Sequence, residues 1–554
     1  MNDRQLGLNR GWLEGEAFDI DALIPASEDD QDDVLFIQSR LRPAPIDGAV
    51  LDAVDDQFTV SESAAVAGDL TSGSGTDVSP DPGNTVITAV NGQAFVGAIT
   101  VTLSGGGQVT VFDDGTVQLD PNGAYDALGV GDTAVETFTY TLTQRAGAPA
   151  MGAFDPIVDV STLGAAGVRF TGLDASGFTG ASVAGVGDVN NDGFDDILIG
   201  SYLAGADDAG AATLVQGGAN LSGTVSLGAV GSTYRGEVAN DLAGISVGAA
   251  GDVNGDDVED FIIGAYRFDQ QGTQNVGASY VVFGDGQGLP GDGGVEAAAG
   301  ITIVGDQRNA YSGFTVNSAG DVNGDGFDDL LIGAWPADTE AGFEAGETYL
   351  IFGGTGLAGT FSVGSLNGAN GTVIVGVTAD DRSGFSAKGV GDVNNDGVDD
   401  FIVGAVNADP AGRENAGSAY LIFGQDLANP FGAEFSLANA NFRLDGAAAG
   451  DQLGRSVAGV GDVNNDGIDD IIVGAHLDGE NDTGAAYVVF GNQGLGGNLN
   501  AADLDGANGF RIEGLGANDH AGLSVSDAGD VNADGIEDFI LVSHLRVATD
   551  AGAA

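Results

Sequence analysis

The chain has 554 residues, with 82 acidic against 16 basic side chains (formal charge −66), no cysteine, and 96 glycines against 12 prolines. This charge excludes surfaces built to hold nucleic acid or anionic membrane, because phosphate would be repelled. The missing cysteine excludes disulfide staples, thiolate zinc sites and cysteine nucleophiles, and no apolar run of about 18 residues exists to span a membrane. Two uses remain for so much carboxylate: a solvated acidic surface, which takes the larger share, and binding of divalent cations.

In chain order, residues 1–50 are weakly patterned and are expected to hold little fixed structure. Met1 to Ile20 contains Arg4 and Arg10 but no apolar h-region, so no classical signal peptide is visible. Residues 51–145 change to β-branched, period-two runs: Gln57–Val60, Val86–Val90, Ile99–Leu103, Val109–Val111, Thr116–Leu119 and Thr137–Leu142. Asp113-Asp114-Gly115 is expected to close a hairpin between two of them. Strands of this number and length predict a β-sandwich. Residues 146–166 read as a linker.

From residue 167 to 554 the chain repeats. Gly172, Gly236, Gly305, Gly376, Gly446 and Gly514 each end a β-run, 16 residues before an Asp that opens an acidic loop; successive glycines lie 64, 69, 71, 70 and 68 residues apart. This period is too long for a solenoid coil and suits a propeller blade. In the fifth repeat the predicted strands are Phe442-Arg443-Leu444, Arg455 to Val460, Asp470 to Gly474, and Ala485 to Gly491. Four meander-connected strands are the propeller unit, whereas one such sheet alone would bury too little. The fold class is therefore all-β: a propeller of six visible repeats behind a sandwich. Gly552-Ala553-Ala554 aligns with Gly484-Ala485-Ala486, so the sixth repeat stops before its last strand. An open ring exposes strand edges, so a longer protein with a closing seventh blade is expected.

The loops agree position by position. Position 1 is Asp188, Asp252, Asp321, Asp392, Asp462 and Asp530; position 3 is Asn190, Asn254, Asn323, Asn394, Asn464 and Asn532; position 5 is Asp192, Asp256, Asp325, Asp396, Asp466 and Asp534; position 9 is Asp196, Asp260, Asp329, Asp400, Asp470 and Asp538. Position 7 (Phe194, Val258, Phe327, Val398, Ile468, Ile536) can add its backbone carbonyl. Six or seven hard oxygen donors suit Ca²⁺ better than Mg²⁺, and zinc or copper would want nitrogen or sulfur. Gly at position 6 permits a left-handed turn; Asp257 replaces it in the second loop, where a weaker site is expected. EF-hand and dockerin loops need an acid at position 12 and a following helix, but position 12 here is Ile199, Ile263, Ile332, Val403, Val473 or Leu541. A solvated Asn-Asp-Gly hairpin would explain one such loop, yet would not need an acid at position 9 six times over.

Gly-Asp-Val-Asn-x-Asp-Gly-x-x-Asp, the following apolar-Gly-Ala, and the closing Tyr-x-x-Phe-Gly (Tyr349 to Gly353, Tyr420 to Gly424) make residues 167–554 resemble FG-GAP repeats, the units of the integrin α-subunit propeller. The resemblance implies Ca²⁺ in loops on one face and recognition of an extracellular protein or glycan ligand by loops on the other. Thr213 to Gly217 lacks the Tyr and Phe, which marks the first repeat as an atypical edge blade. Residues 51–145 resemble cadherin-like, VCBS-type bacterial surface modules through Val54 to Phe58, Asp120 to Asp126 and Glu136 to Tyr140. That likeness would put calcium near Asp55, Asp56 and Glu62, where solvated turn acids explain the residues equally well. An adhesion or ligand-binding protein, extracellular or on the cell surface, is the expectation, exported without a classical signal peptide (type I secretion by family analogy).

No catalytic constellation emerges. Ser182, Ser246, Thr315, Ser386, Ser456 and Ser524 sit six residues before each loop, and six equivalent nucleophiles make no catalytic sense. His476, His520 and His544 are spread over two repeats, and Tyr280, Tyr349, Tyr420 and Tyr487 are expected as core. A non-enzymatic protein is the leading expectation; the alternative is a secreted hydrolase whose catalytic domain lies outside the sequence.

Overall fold

The computed structural model describes residues 168–543, apart from 175–176, 219–222, 285–291 and 533–534, together with seven short strands between residues 66 and 144. The expected N-terminal segment, the linker, the strand at Gln57–Val60, the turn at 113–115, Asp55, Asp56, Glu62, Asp534 and His544 lie outside the described residues.

The N-terminal strands form two antiparallel sheets. One has the order Val66–Asp69, Thr116–Asp120, Gln108–Phe112, Ala98–Thr102; the other runs Gln93–Ala94, Thr85–Val90, Tyr140–Gln144. The expected hairpin is present, with Val111 opposite Val117.

The repeats fold as blades. In the second blade Ser246–Gly251, Asp260–Ala265, Ala278–Val282 and Ile301–Val304 form an antiparallel meander, and the first, third, fourth and fifth repeat it. Of the sixth blade, the described residues show Ser524–Gly529 paired with Asp538–Val542. Successive inner strands pack side by side. Lys388 on the fourth blade's inner strand reaches the Asp527 carboxylate of the sixth, 3.1 Å away. A contact that skips a blade requires the inner strands to curve around one axis, as in a propeller.

One expectation is corrected. Phe442–Asp445 is a strand, but it pairs with Ser418–Ile422 of the fourth blade, with Ser418 opposite Asp445. Each sequence repeat therefore begins with the outermost strand of the preceding blade, and the chain then crosses from rim to axis to start its own. A further strap joins the blades: the link between third and fourth strands of one blade pairs in parallel with the outer strand of the blade before it. Gly359–Ser362 lies on Ile301–Val304, Glu434–Ser436 on Gly371–Val375, and Gly497–Asn500 on Phe442–Asp445. These straps cover outer strand edges that would otherwise be open to pairing with other chains.

In the second to fifth blades the second and third strands are buried along their whole length, Asp260–Ala265 and Ala278–Val282 among them. This explains why their sequences are continuously apolar: a sheet packed on both faces gains nothing from alternation. The expected tyrosines are core residues at one shared register: Tyr280 faces Ile263, Tyr349 faces Ile332, Tyr420 faces Val403, and Tyr487 faces Val473. The first blade keeps the meander and puts buried Thr213 in that place, its hydroxyl 3.3 Å from that of Thr233. Four of the hydroxyls before the loops staple adjacent inner strands. Ser182 accepts from Val247 N–H and Ser246 from Val316 N–H, while Ser386 and Ser456 donate to the carbonyls of Gly454 and Gly522.

Candidate cation loops at one end of the blades

Each loop joins the inner strand of a blade to its second strand. A register shift in the last residues of the inner strand (between Ala249 and Gly251, Ser318 and Gly320, Gly389 and Gly391, Asp527 and Gly529) is a bulge that turns the chain into the loop. Position 6 has positive φ in every described loop, including Asp257 at 64°. The left-handed turn is thus kept at the one place where the sequence lacks glycine.

Within the loop the carboxylates are held by backbone. The position-1 Asp accepts from the N–H groups of positions 5 and 6, at 2.9 and 2.7 Å for Asp188, 3.0 and 2.8 Å for Asp321, and 2.9 and 2.6 Å for Asp462. Asp252 and Asp392 repeat this geometry, and Asp530 accepts from Gly535 N–H. The position-5 Asp accepts from the N–H of position 7 at 3.1 Å in the first five loops, which leaves the carbonyls of Phe194, Val258, Phe327, Val398 and Ile468 outside this turn bond.

Position 9 is different. Asp196, Asp260, Asp329, Asp400 and Asp470 are fully buried. Each accepts from the Asn at position 3 and from the glycine N–H that closes the third strand: Gly217, Gly284, Gly353, Gly424 and Gly491. In the second to fifth loops the position-2 N–H donates as well. Asn532 makes the same bond to Asp538 in the sixth. Burial, reinforced by the acids at positions 5 and 1, pushes Asp260, Asp400 and Asp470 up to about 7 and Asp329 to about 8; Asp196 moves the same way.

Among the described residues, no three carboxylate or imidazole side chains stand together as a ready-made cation cluster. The donors nevertheless fit a hard cation. Asn323 turns its Nδ2 to both oxygens of Asp329 while its buried Oδ1 accepts no hydrogen bond. That is an orphaned oxygen of the kind a cation would take up. The mutual repulsion of positions 1, 5 and 9 is also of the sign a dication would relieve.

Two positions escaped the sequence analysis. Position 8 is acidic in every loop: Asp195, Glu259, Asp328, Asp399, Asp469 and Glu537. It serves the neighbouring blade, for the Asp252 N–H donates to Asp328 (2.8 Å), Asp321 N–H to Asp399 (3.0 Å) and Asp392 N–H to Asp469 (3.0 Å). The glycine preceding position 1 admits that carboxylate. A Cβ on Gly251, Gly320 or Gly391 would collide with Asp328, Asp399 or Asp469. The second to fifth loops are therefore tied in series from blade to blade, and burial raises the pKa of Glu259, Asp328, Asp399 and Asp469. Position 4 also takes positive φ, at Asn191, Gly255, Gly324, Asn395 and Asn465, and its restriction to Asn and Gly in those loops was the available signal.

Blades with this topology and this loop define an FG-GAP-type, all-β propeller. Residues 179–215, 243–282, 314–351 and 453–489 match the FG-GAP repeat family. Among curated proteins the chain is similar to integrin alpha-5 of Xenopus laevis, at 30% identity over 235 residues covering 41% of this chain and 19% of that protein. It is similar to integrin alpha-PS2 of Drosophila melanogaster, at 29% over 188 residues covering 32% and 12%. It is also similar to phosphatidylinositol-glycan-specific phospholipase D of Bos taurus, at 40% over 106 residues covering 18% and 12%. The chain thus spans less than a fifth of the length of these relatives. Its first, second, third and fifth blades carry the FG-GAP repeat pattern, and the chain is similar to integrin alpha subunits over part of its length.

Proposed function

We propose that this chain is a calcium-stabilised adhesion or ligand-binding protein, extracellular or on the cell surface. It binds rather than catalyses, and it takes an extracellular protein or glycan as its partner. The observation that carries the proposal is the buried position-9 carboxylate with its two acidic loop neighbours, recurring blade after blade in a chain similar to integrin alpha subunits. Calcium would be held by positions 1, 3, 5 and 9 and the carbonyl of position 7, supplying the positive charge that these loops lack. Residues 51–145 act as a cadherin-like or VCBS-type spacer in this proposal.

The test is thermal unfolding with calcium and with EDTA. Binding to the folded state at a hundredfold excess over Kd contributes about 2.7 kcal/mol per site. With several loops loaded, chelation should lower Tm by 10 °C or more by the usual scaling, on the order of 2–4 °C per kcal/mol. An unchanged Tm rejects the calcium role. A second proposal, a secreted hydrolase whose catalytic domain lies outside the sequence, draws on the similarity to the phospholipase D. Sequencing the full gene separates the two: a catalytic domain favours the hydrolase, and further repeats favour adhesion.

A further inference from the structure

The end of the propeller opposite the cation loops, where second strands finish and inner strands start, brings aromatic side chains together beside its own carboxylates. Tyr266 and Trp335 follow directly on Asp260–Ala265 and Asp329–Ala334, and Phe314, Phe385 and Arg455 stand at the beginnings of inner strands. Their rings form one continuous row across three blades. Tyr266 lies 5.8 Å from Phe314, Phe314 lies 6.0 Å from Trp335 and 5.2 Å from Phe385, and Trp335 lies 6.2 Å from Phe385. All four rings are only partly buried.

The row ends on cations. The Arg455 guanidinium sits 4.5 Å over the Phe385 ring, and that of Arg382 sits 4.8 Å over Trp335. Arg382 is paired with Glu344 at 3.0 Å. Arg455 is half-buried, yet among the described residues it forms no ion pair and no hydrogen bond. In a chain with 82 carboxylates and 16 basic side chains, an unpaired, half-buried guanidinium is not explained by a shortage of partners. Burial, with Arg455 and His520 nearby, lowers the pKa of the neighbouring His476 to about 4, and an imidazole supplies no negative charge to balance the guanidinium in either form.

We infer that Arg455 and the adjoining aromatic row form a binding site for a carboxylate-bearing sugar, a uronic acid residue within a glycan. The guanidinium is a planar fork of donors matched to a carboxylate. Partly exposed aromatic faces beside it take the apolar face of a sugar ring, whereas a peptide would also call for backbone hydrogen-bond partners. The acidic remainder of the surface disfavours a densely charged polyanion, so an isolated uronate among neutral sugars is the matching ligand. This inference rests on the ligand-binding proposal above and narrows it.

Trp12 and Trp335 are the only tryptophans, so a Trp12→Phe background makes Trp335 fluorescence a local reporter. The full chain, at fixed calcium, is titrated by fluorescence and calorimetry with a uronate-containing trisaccharide, its methyl ester and an acidic hexapeptide. Expected are a response to the uronate, at least tenfold weaker binding of the methyl ester, and a tenfold or greater loss in Arg455→Gln that Arg455→Lys recovers in part. The calcium-dependent Tm rise of both variants should equal that of the parent, which reports folding and keeps this outcome separate from failure of the calcium proposal. Equal binding of ester and acid, unchanged binding by Arg455→Gln, response to the peptide alone, or no response to any probe would each overturn the inference.

Discussion

The two ends of the propeller solve the same problem, joining an inner strand to its neighbour, with opposite materials. At the loop end the connection is made of carboxylates, amides and glycines. The carboxylates at positions 1, 5 and 9 accept from backbone N–H groups of their own blade, and those of position 8 in the third to fifth loops accept from the loop of the neighbouring blade. At the other end the connections between second and third strands are longer, and aromatic rings with arginines stacked on them pack between blades beside buried carboxylates such as Asp381 and Asp451. Electrostatic repulsion limits the first end and steric fit the second. The loop end should therefore respond to cations and to removal of single acceptors, and the aromatic end to added volume and to buried charge.

The largest single-residue effect is expected at the aromatic end. Gly333 lies where its blade touches the next, and a Cβ there would fall on the Gly384 carbonyl oxygen, which is backbone and cannot move aside. Gly333→Ala should cost about 3 kcal/mol, the upper end for overpacking, measured by denaturant unfolding, and the loss should be the same with calcium or EDTA. A loss that appears only in EDTA would erase the distinction between the ends.

Glu347, opposite Ala334 at the same end, is the buried charge to test. Burial raises it to about 7 even though Tyr349 and Gln307 donate to it. A carboxyl whose folded pKa is raised contributes stability below its unfolded pKa, about 4.3, and loses it as pH climbs through about 7. Glu347→Gln should therefore be more stable than the parent at pH 8 by about 2 kcal/mol, after discounting lost hydrogen bonds. At pH 5 it should hold no advantage. Chemical denaturation at the two pH values decides it, and a gain of equal size at both would point to packing instead of charge.

At the loop end, Asp399→Ala removes the acceptor for the Asp321 N–H and should cost about 1–2 kcal/mol. Asp195, at the same loop position in the first blade, is exposed and receives no such bond among the described residues, so Asp195→Ala should change stability by less than about 0.5 kcal/mol. Equal effects would show that position 8 acts through charge and not through the inter-blade bond. A gain of about 1 kcal/mol is expected from Asp257→Gly, which relieves a left-handed aspartate. It should also bring calcium affinity of the second loop level with the others in a direct titration.

The residues alone made the local chemistry legible. The spacing of Asp462, Asn464, Asp466 and Asp470, the glycine at 467 and the apolar run after it specify a loop feeding a strand. Such a loop closes through hydrogen bonds spanning fewer than ten residues, so nothing distant is needed to read it. Tyr349 and its counterparts announced themselves as core by recurring at one register. Three matters waited for the tertiary structure: that Phe442–Asp445 completes the preceding blade, that Asp399 serves the loop of another blade, and that Arg455 stands on Phe385 without a carboxylate. Each depends on which segments, from about twenty to about eighty residues apart, lie against one another. Local periodicity sets how a strand pleats but not which edge it joins. That choice is made by burial and by the closing of blades around a common axis, which no single repeat carries in its own sequence.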